Sequence, residues 1–115
     1  MDQIEIVEAY LPARVEYLAN LYEWLREHLY SHPKPLVHGF SIYEVNGAFR
    51  GTKDVYQERT TVVRIVFDLP RDGDDAESRA YEARLREIFD TMIRITEKHE
   101  EELWLIRIPA RRETA

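Results

Sequence analysis

Three of the four histidines lie close together along the chain. His28 and His32 are four residues apart near the predicted end of a helix, and His38 follows a proline turn. Two imidazoles at that spacing can share a helical face and bind a divalent metal, with His38 or the Glu27 carboxylate as a further ligand. However, Pro33 disfavours a helical turn at His32, and the helix dipole alone stabilises a histidine near a helix C-terminus. A metal site of His28, His32 and His38 is one hypothesis, and a structural role is the other.

Arg64 lies in a position that suggests a pocket. It stands between Val62 and Val66 in the most apolar strand pattern of the sequence, where an unpaired charge is costly. Glu44 or Glu58 could supply the partner carboxylate, and so could a carboxylate or phosphate group of a ligand. A structural or intersubunit ion pair explains the same residue and is the favoured interpretation.

Tyrosines and a histidine could complete a pocket around this arginine. Tyr43, Tyr56 and Tyr10 offer hydroxyls over an apolar floor, although strand tyrosines commonly pack their rings and leave the hydroxyl in water. The sequence contains no Gly-rich phosphate loop, nucleophile elbow or metalloprotease helix, so no catalytic residue is assigned. The predicted ligand-binding set is therefore Arg64, Glu44, Glu58, Tyr43 and His38.

Composition narrows the possible classes of protein. The chain has 115 residues, no cysteine and a formal net charge of -6, which predicts a single domain over residues 1–115 without thiolate chemistry. The acidic charge argues against nucleic acid, including single-stranded RNA on an open sheet. No run approaches the ~20 apolar residues of a membrane span, and the start lacks a signal-peptide pattern. We expect no cofactor, no nucleic-acid or membrane partner, and a cytoplasmic location.

The elements that must position these residues follow from hydrophobic spacing and turn residues. Alternating apolar residues predict strands, and spacings of three and four predict two helices. The second helix begins at the acidic cap of residues 74–77 and ends at the charged run 98–102. The polar run 50–54 is typical of a hairpin tip, with Asn46-Gly47 as an alternative tip or bulge. The other predicted segments are strands 3–11, 40–49, 56–69 and 103–109, a first helix 13–30, and a frayed tail 110–115.

The order strand, helix, strand, strand, helix, strand predicts an α+β domain of the ferredoxin-like type. In it, two helices cover one face of a four-stranded antiparallel sheet. The other face would carry Val62 and Val66, so we expect a homodimer or higher oligomer. Pairing across a two-fold axis would give a dimeric α+β barrel, and a trimer would also bury this face.

The first helix carries two apolar stripes. Val15, Leu18, Tyr22, Leu25 and Leu29 form the stripe expected to pack on the sheet. A second stripe widens the apolar surface beyond what one sheet requires, which predicts a further contact with a loop, another subunit or a protein partner. This second stripe consists of Tyr17, Leu21 and Trp24.

Short motifs between residues 33 and 69 resemble a family of small bacterial domains of unknown function with this element order. The motifs read Gly39-Phe40-Ser41-Ile42, then Gly47-Ala48-Phe49-Arg50-Gly51, then Glu58-Arg59-Thr60. The resemblance implies a bacterial protein and carries no activity with it. Members of that family usually have an export signal, whereas the start of this sequence does not resemble one.

Two functions are consistent with these observations. The first is an oligomeric, non-catalytic module that binds a protein partner or a small ligand. The alternative is a cofactor-independent enzyme of the small α+β barrel kind, acting on an apolar or acidic small molecule in a cleft near Arg64, with His38 and a tyrosine as orienting groups.

Overall fold

The computed structural model describes residues 3–12, 15–32, 35–70, 75–95 and 104–111. The elements follow the predicted order, and the strands form one open antiparallel sheet in the order β2-β3-β1-β4. The ferredoxin-like α+β fold predicted from the sequence is therefore confirmed. The elements are β1 (Gln3–Pro12), α1 (Val15–Ser31), β2 (Val37–Arg50), β3 (Val55–Asp68), α2 (Asp75–Ile95) and β4 (Trp104–Arg111).

The two central strands, β1 and β3, divide their side chains between two faces. Residues of a strand point alternately to opposite sides, and the pairing of Val7 with Ile65 fixes which sides match. We call the side that meets the helices the helix face and the other side the open face. The helix face joins the helices in a core that includes Val7, Ala9, Leu11, Val63, Ile65, Phe67, Leu21, Leu25, Leu29, Tyr81, Leu85, Ile88 and Met92.

The β2–β3 hairpin has the tip predicted from the sequence. β2 ends at Arg50 and β3 begins at Val55, and the Gly51 amide donates a hydrogen bond to the Asp54 carbonyl at 2.8 Å. Residues 46 and 47 lie inside β2, so the alternative tip there is wrong. The register of β2 on β3 shifts between Val37 and Gly39, which marks a β-bulge at His38.

Helix α1 is rotated relative to the face predicted from the sequence. Leu21 was assigned to the partner-binding stripe with Tyr17 and Trp24, yet it is fully buried in the core. Trp24 is partly buried against the same core, while Tyr22, predicted to face the sheet, is half exposed. The two predicted apolar stripes of α1 are adjacent on the helix surface. The sheet packs on the side of α1 that includes residues of both stripes. The assignment of Leu21 to a partner surface is therefore wrong, and a partner contact through Tyr17 and Trp24 stays a prediction.

A buried carboxylate ties β1 to α2 and β4. Glu5 Oε1 accepts hydrogen bonds from the Tyr81 hydroxyl at 2.9 Å and from Arg107 Nε at 3.0 Å. Arg107 also donates to both carboxylate oxygens of Glu82 at 2.8 Å. Glu5 is buried, so these two donors on Oε1 are what stabilise its charge on the helix face.

The same network changes the acidity of its members. Burial, followed by the hydrogen bond to Glu5, raises the pKa of Tyr81 well above its ordinary value, so the phenol stays a neutral donor. The bonds to Glu82 and Glu5 raise the pKa of Arg107. The hydrogen bonds from Arg107 lower the pKa of Glu82.

A second charged contact joins the two helices. Arg84 is buried in α2, donates to the His28 carbonyl in the last turn of α1 at 3.1 Å and pairs with Glu87 at 3.3 Å. Carbonyl groups at a helix C-terminus lack partners within the helix, so a guanidinium there is favourable.

Two further expectations concern the C-terminal tail and membrane-spanning segments. Ala110 and Arg111 belong to β4 and pair with Ile4 and Gln3 of β1, while the rest of the predicted tail lies outside the described residues. Among the helices described, none is long and apolar enough to cross a membrane.

Replacing Arg107 with Met tests the network. The Arg107→Met substitution leaves the buried Glu5 carboxylate with the Tyr81 hydroxyl alone, and we expect a loss of about 2 kcal/mol in the free energy of unfolding. Arg94→Met, which removes an exposed guanidinium bonded to the Thr91 hydroxyl, is the control and should change this free energy by less than about 0.5 kcal/mol. Urea unfolding measures both, and equal effects would refute a special role for Arg107.

The pH dependence of this difference has a defined sign. Because the pKa of Glu82 is lowered in the folded state, its contribution is present above its unfolded pKa of about 4.3 and is lost as the pH falls through the lowered value. The stability gap between the wild type and Arg107→Met should therefore narrow in acid. A gap that stays constant down to strongly acidic pH would contradict this assignment.

Candidate functional site

The centre of the open face brings together polar groups from three neighbouring strands. One cross-strand row consists of Glu8, Arg64 and Ser41, and the next row consists of Tyr10, Val62 and Tyr43. We call these six residues the central patch. Arg64 and Tyr43, both predicted as site residues, are thus brought into adjacent rows.

Arg64 and Glu8 form a long ion pair. Arg64 Nε lies 3.7 Å from Glu8 Oε1, and the Arg64 side chain is 44% exposed whereas that of Glu8 is 14% exposed. The Tyr10 hydroxyl donates to the other oxygen, Glu8 Oε2, at 3.1 Å. Burial, followed by this bond and the nearby Glu8 charge, raises the pKa of Tyr10. Tyr10 therefore stays a neutral donor that orients the carboxylate.

Glu44, one of the two predicted partners of Arg64, is not the partner observed. Glu44 pairs in register with Thr61, which places it on the helix face, and its carboxylate lies 2.8 Å from Arg59 Nη2. Arg64 pairs in register with Ser41 on the open face, so Glu44 is on the wrong side to reach it. The side chain of Glu58 lies outside the described residues, as does that of Tyr56.

The floor of the central patch is closed. Val62 is only 1% exposed although it lies on the open face, with Tyr10 and Tyr43 as its register neighbours. Thr60, two residues earlier on the same face, is also buried, and its hydroxyl has no hydrogen-bond partner in the described part of the chain. Any molecule bound here would contact the polar rims of the patch, not its floor.

His38 lies at another end of the open face. Its ring Nε2 contacts the Asp68 carboxylate, and Asp68 is four residues from Arg64 along β3, a separation of roughly 13 Å. The expected cleft, with Arg64, His38 and a tyrosine around one substrate, is not assembled within these residues.

The three-histidine metal site does not form in the described part of a single chain. His28 Nδ1 donates to the Trp24 carbonyl at 3.0 Å, and its ring stacks on the Trp24 indole at a centroid distance of 5.0 Å. His38 is engaged by Asp68, and His32 is exposed beyond α1. Among the residues described, no group of three or more His, Asp or Glu side chains has metal-binding geometry. The prediction is not supported, because His28 and His38 are turned to different neighbours and His32 lies apart from both contacts.

Glu8 is the site residue that sequence reasoning missed. It shares the open face with Ile4, Ile6 and Tyr10, so it is an isolated charge in an apolar alternation, as Arg64 is in β3. Each strand thus carries one isolated charge, and the two charges have opposite signs. This pattern could have predicted that Glu8 and Arg64 are partners.

Comparison with known proteins identifies the fold and no family. No protein-family model matches the sequence, and no curated protein matches it. The resemblance of residues 33–69 to a family of small bacterial domains therefore stays a prediction.

Solved structures with the same fold are divalent cation tolerance proteins. CutA1 from the psychrotrophic bacterium Shewanella sp. SIB1 has a TM-score of 0.61 and 12% identity, over 98% of this chain and 85% of that one. The periplasmic divalent cation tolerance protein CutA from Archaeoglobus fulgidus has a TM-score of 0.60 and 11% identity, over 96% and 87%. The divalent cation tolerance protein from Thermus thermophilus has a TM-score of 0.60 and 9% identity, over 96% and 87%. At these identities the likeness shows that the chain has their ferredoxin-like fold, over almost its whole length.

Proposed function

We propose that this chain is a non-catalytic binding module that assembles with copies of itself through the open face of its sheet. The observation that carries the proposal is an apolar surface that neither helix covers, because α1 and α2 both pack on the helix face. Its apolar side chains are half-buried or exposed in one chain: Ile4, Ile6, Val45, Val66, Ile106, Ile108 and Tyr43.

The arrangement of these side chains supports a protein surface as the occupant. Ile6 pairs in register with Val66 on one side and with Ile108 on the other, so an apolar row crosses three strands next to the charged row. Burying apolar area contributes about 25 cal/mol per Å², and large uncovered patches of this kind mark interaction sites. A flat row of branched side chains fits another sheet better than a small ligand.

The cation chemistry named for the similar structures is a weaker proposal for this chain. A divalent cation held by protein side chains commonly needs three or more ligands. The described residues contain no such group, and His38 with Asp68 supplies two. Self-association needs no additional group and rests on side chains already in place.

A pair of substitutions on β4 tests the open face directly. Ile108 and Leu105 are both 39% exposed, but their register partners place them on opposite faces of the sheet. We expect Ile108→Glu to weaken self-association by about tenfold or more, because it places an unpaired charge in the interface. Leu105→Glu adds the same charge to the same strand on the helix face, and it should leave the assembly unchanged.

Sedimentation velocity over a range of protein concentrations measures this difference, and circular dichroism confirms that each variant is folded. The wild type should be oligomeric, and the measurement should give the number of copies, either two in a pair or more in a closed ring. A wild type that remains monomeric at all concentrations, or equal effects of the two substitutions, would refute assembly through the open face.

A further inference from the structure

We propose that Glu8 and Arg64 exchange partners between copies of this chain, so that Arg64 of one copy binds Glu8 of its neighbour and sets the alignment of the two sheets. This inference rests on the proposed self-association through the open face. It adds the contact that decides which arrangement of the copies forms.

The intrachain pair leaves most of the Arg64 guanidinium unused. The only contact described for it is Nε to Glu8 Oε1 at 3.7 Å, near the outer limit of an ion pair. Its two terminal nitrogens make no hydrogen bond with the described residues, and the side chain remains 44% exposed. An arginine binds a carboxylate most strongly through two parallel hydrogen bonds, and this pair does not have that geometry.

The Glu8 carboxylate is held ready for a second donor. Its Oε2 accepts from Tyr10, which fixes the orientation of the group, while Oε1 has only the long contact to Arg64 within the described residues. The carboxylate side chain is largely buried, so an additional hydrogen bond from a guanidinium would replace solvation that the sheet has already removed. Both members of the pair are thus incomplete within one chain.

The position of the pair makes the surface complementary to itself. Glu8 and Arg64 are direct register partners on β1 and β3, the two central strands. A two-fold axis that lies between facing sheets and runs along the β1–β3 boundary places Arg64 of each copy opposite Glu8 of the other. In a closed ring, the same two residues would meet between neighbours.

The surrounding rows explain why this contact would fix the alignment. Ile6 and Val66 lie on one side of the charged row, and Tyr10 and Val62 lie on the other. When a second sheet covers these rows, any shift between the copies would leave both charges buried with only their long intrachain contact, which is unfavourable. Only the aligned arrangement satisfies both charges.

A second copy fits this surface better than a small anion does. A free carboxylate or phosphate could occupy Arg64, but it would be repelled by Glu8 beside it. The chain as a whole carries a net charge of -6, so copies repel each other except where opposite charges meet. The Glu8–Arg64 row supplies both signs at the centre of the face.

Charge reversal distinguishes contacts within a chain from contacts between chains. Glu8→Arg and Arg64→Glu should each weaken self-association by about a hundredfold, because every contact between copies then joins like charges. An equimolar mixture of the two variants should assemble again, because every cross contact in a mixed pair, and two of the three contacts in a mixed three-membered ring, now join opposite charges. Within each variant chain the pair stays like-charged, so recovery cannot come from an intrachain bond.

The helix face provides a matched control. Arg59 and Glu44 form a cross-strand pair at 2.8 Å between β3 and β2, and the register places them on the face opposite to Arg64. Glu44→Arg and Arg59→Glu should leave assembly unchanged, singly and mixed. Should a reversal at the central patch prevent folding, Glu8→Gln compared with Glu44→Gln gives the same contrast, with only the first weakening assembly, by about tenfold.

Native mass spectrometry of the wild type, the variants and their mixtures gives the readout, with circular dichroism as the test of folding. A monomeric wild type would overturn both proposals. An oligomeric wild type whose reversal variants assemble normally would overturn the exchange alone, and so would dissociated variants that do not recover on mixing. A small carboxylate or phosphate retained by the wild type and lost in Arg64→Glu would show that the occupant is a small anion instead.

Discussion

Both helices pack against the same face of the sheet, so each strand must divide its side chains into a covered and an uncovered set. In β3, Ile65 and Phe67 enter the core, which forces Val66 and Arg64 onto the open face. The same alternation gives β1 a covered Glu5 and an uncovered Glu8, because the two positions differ by an odd number of residues. The position of every charged group of the sheet discussed above depends on this division.

Much of the fold could be predicted from the sequence because its signals are local. Alternation in β3, the polar hairpin tip after Arg50 and the acidic cap before α2 each depend on residues that are neighbours in the chain. Arg64 could also be recognised as a charge in an apolar strand. These local signals fix the element order, and the element order is sufficient to imply the fold class.

The partners of the charged residues could not be predicted, since they depend on register and helix rotation. Strand parity decides that Arg64 meets Glu8 while Glu44 meets Arg59, and a shift of one residue would reverse the choice. Rotation of α1 places Leu21 in the core and leaves Tyr22 exposed, although both lie on apolar stripes of the sequence. His28 contacts Trp24, four residues earlier on the same helix, and the spacing allowed this neighbour as well as a shared metal site with His32 without deciding between them.

The charged groups on the two faces of the sheet differ in how many hydrogen bonds and ion pairs they make within the chain. On the helix face, Glu5 has Tyr81 and Arg107 as donors, and Arg107 is further saturated by Glu82. On the open face, Arg64 has a single long contact within the described residues. A saturated network stabilises one chain and gains nothing from a partner. An unsaturated pair gains most when a surface of opposite charge covers it, and the apolar rows around it favour the same covering. This contrast between the two faces supports the proposal that another molecule covers the open face, and the charge pattern of that face favours a second copy of the chain.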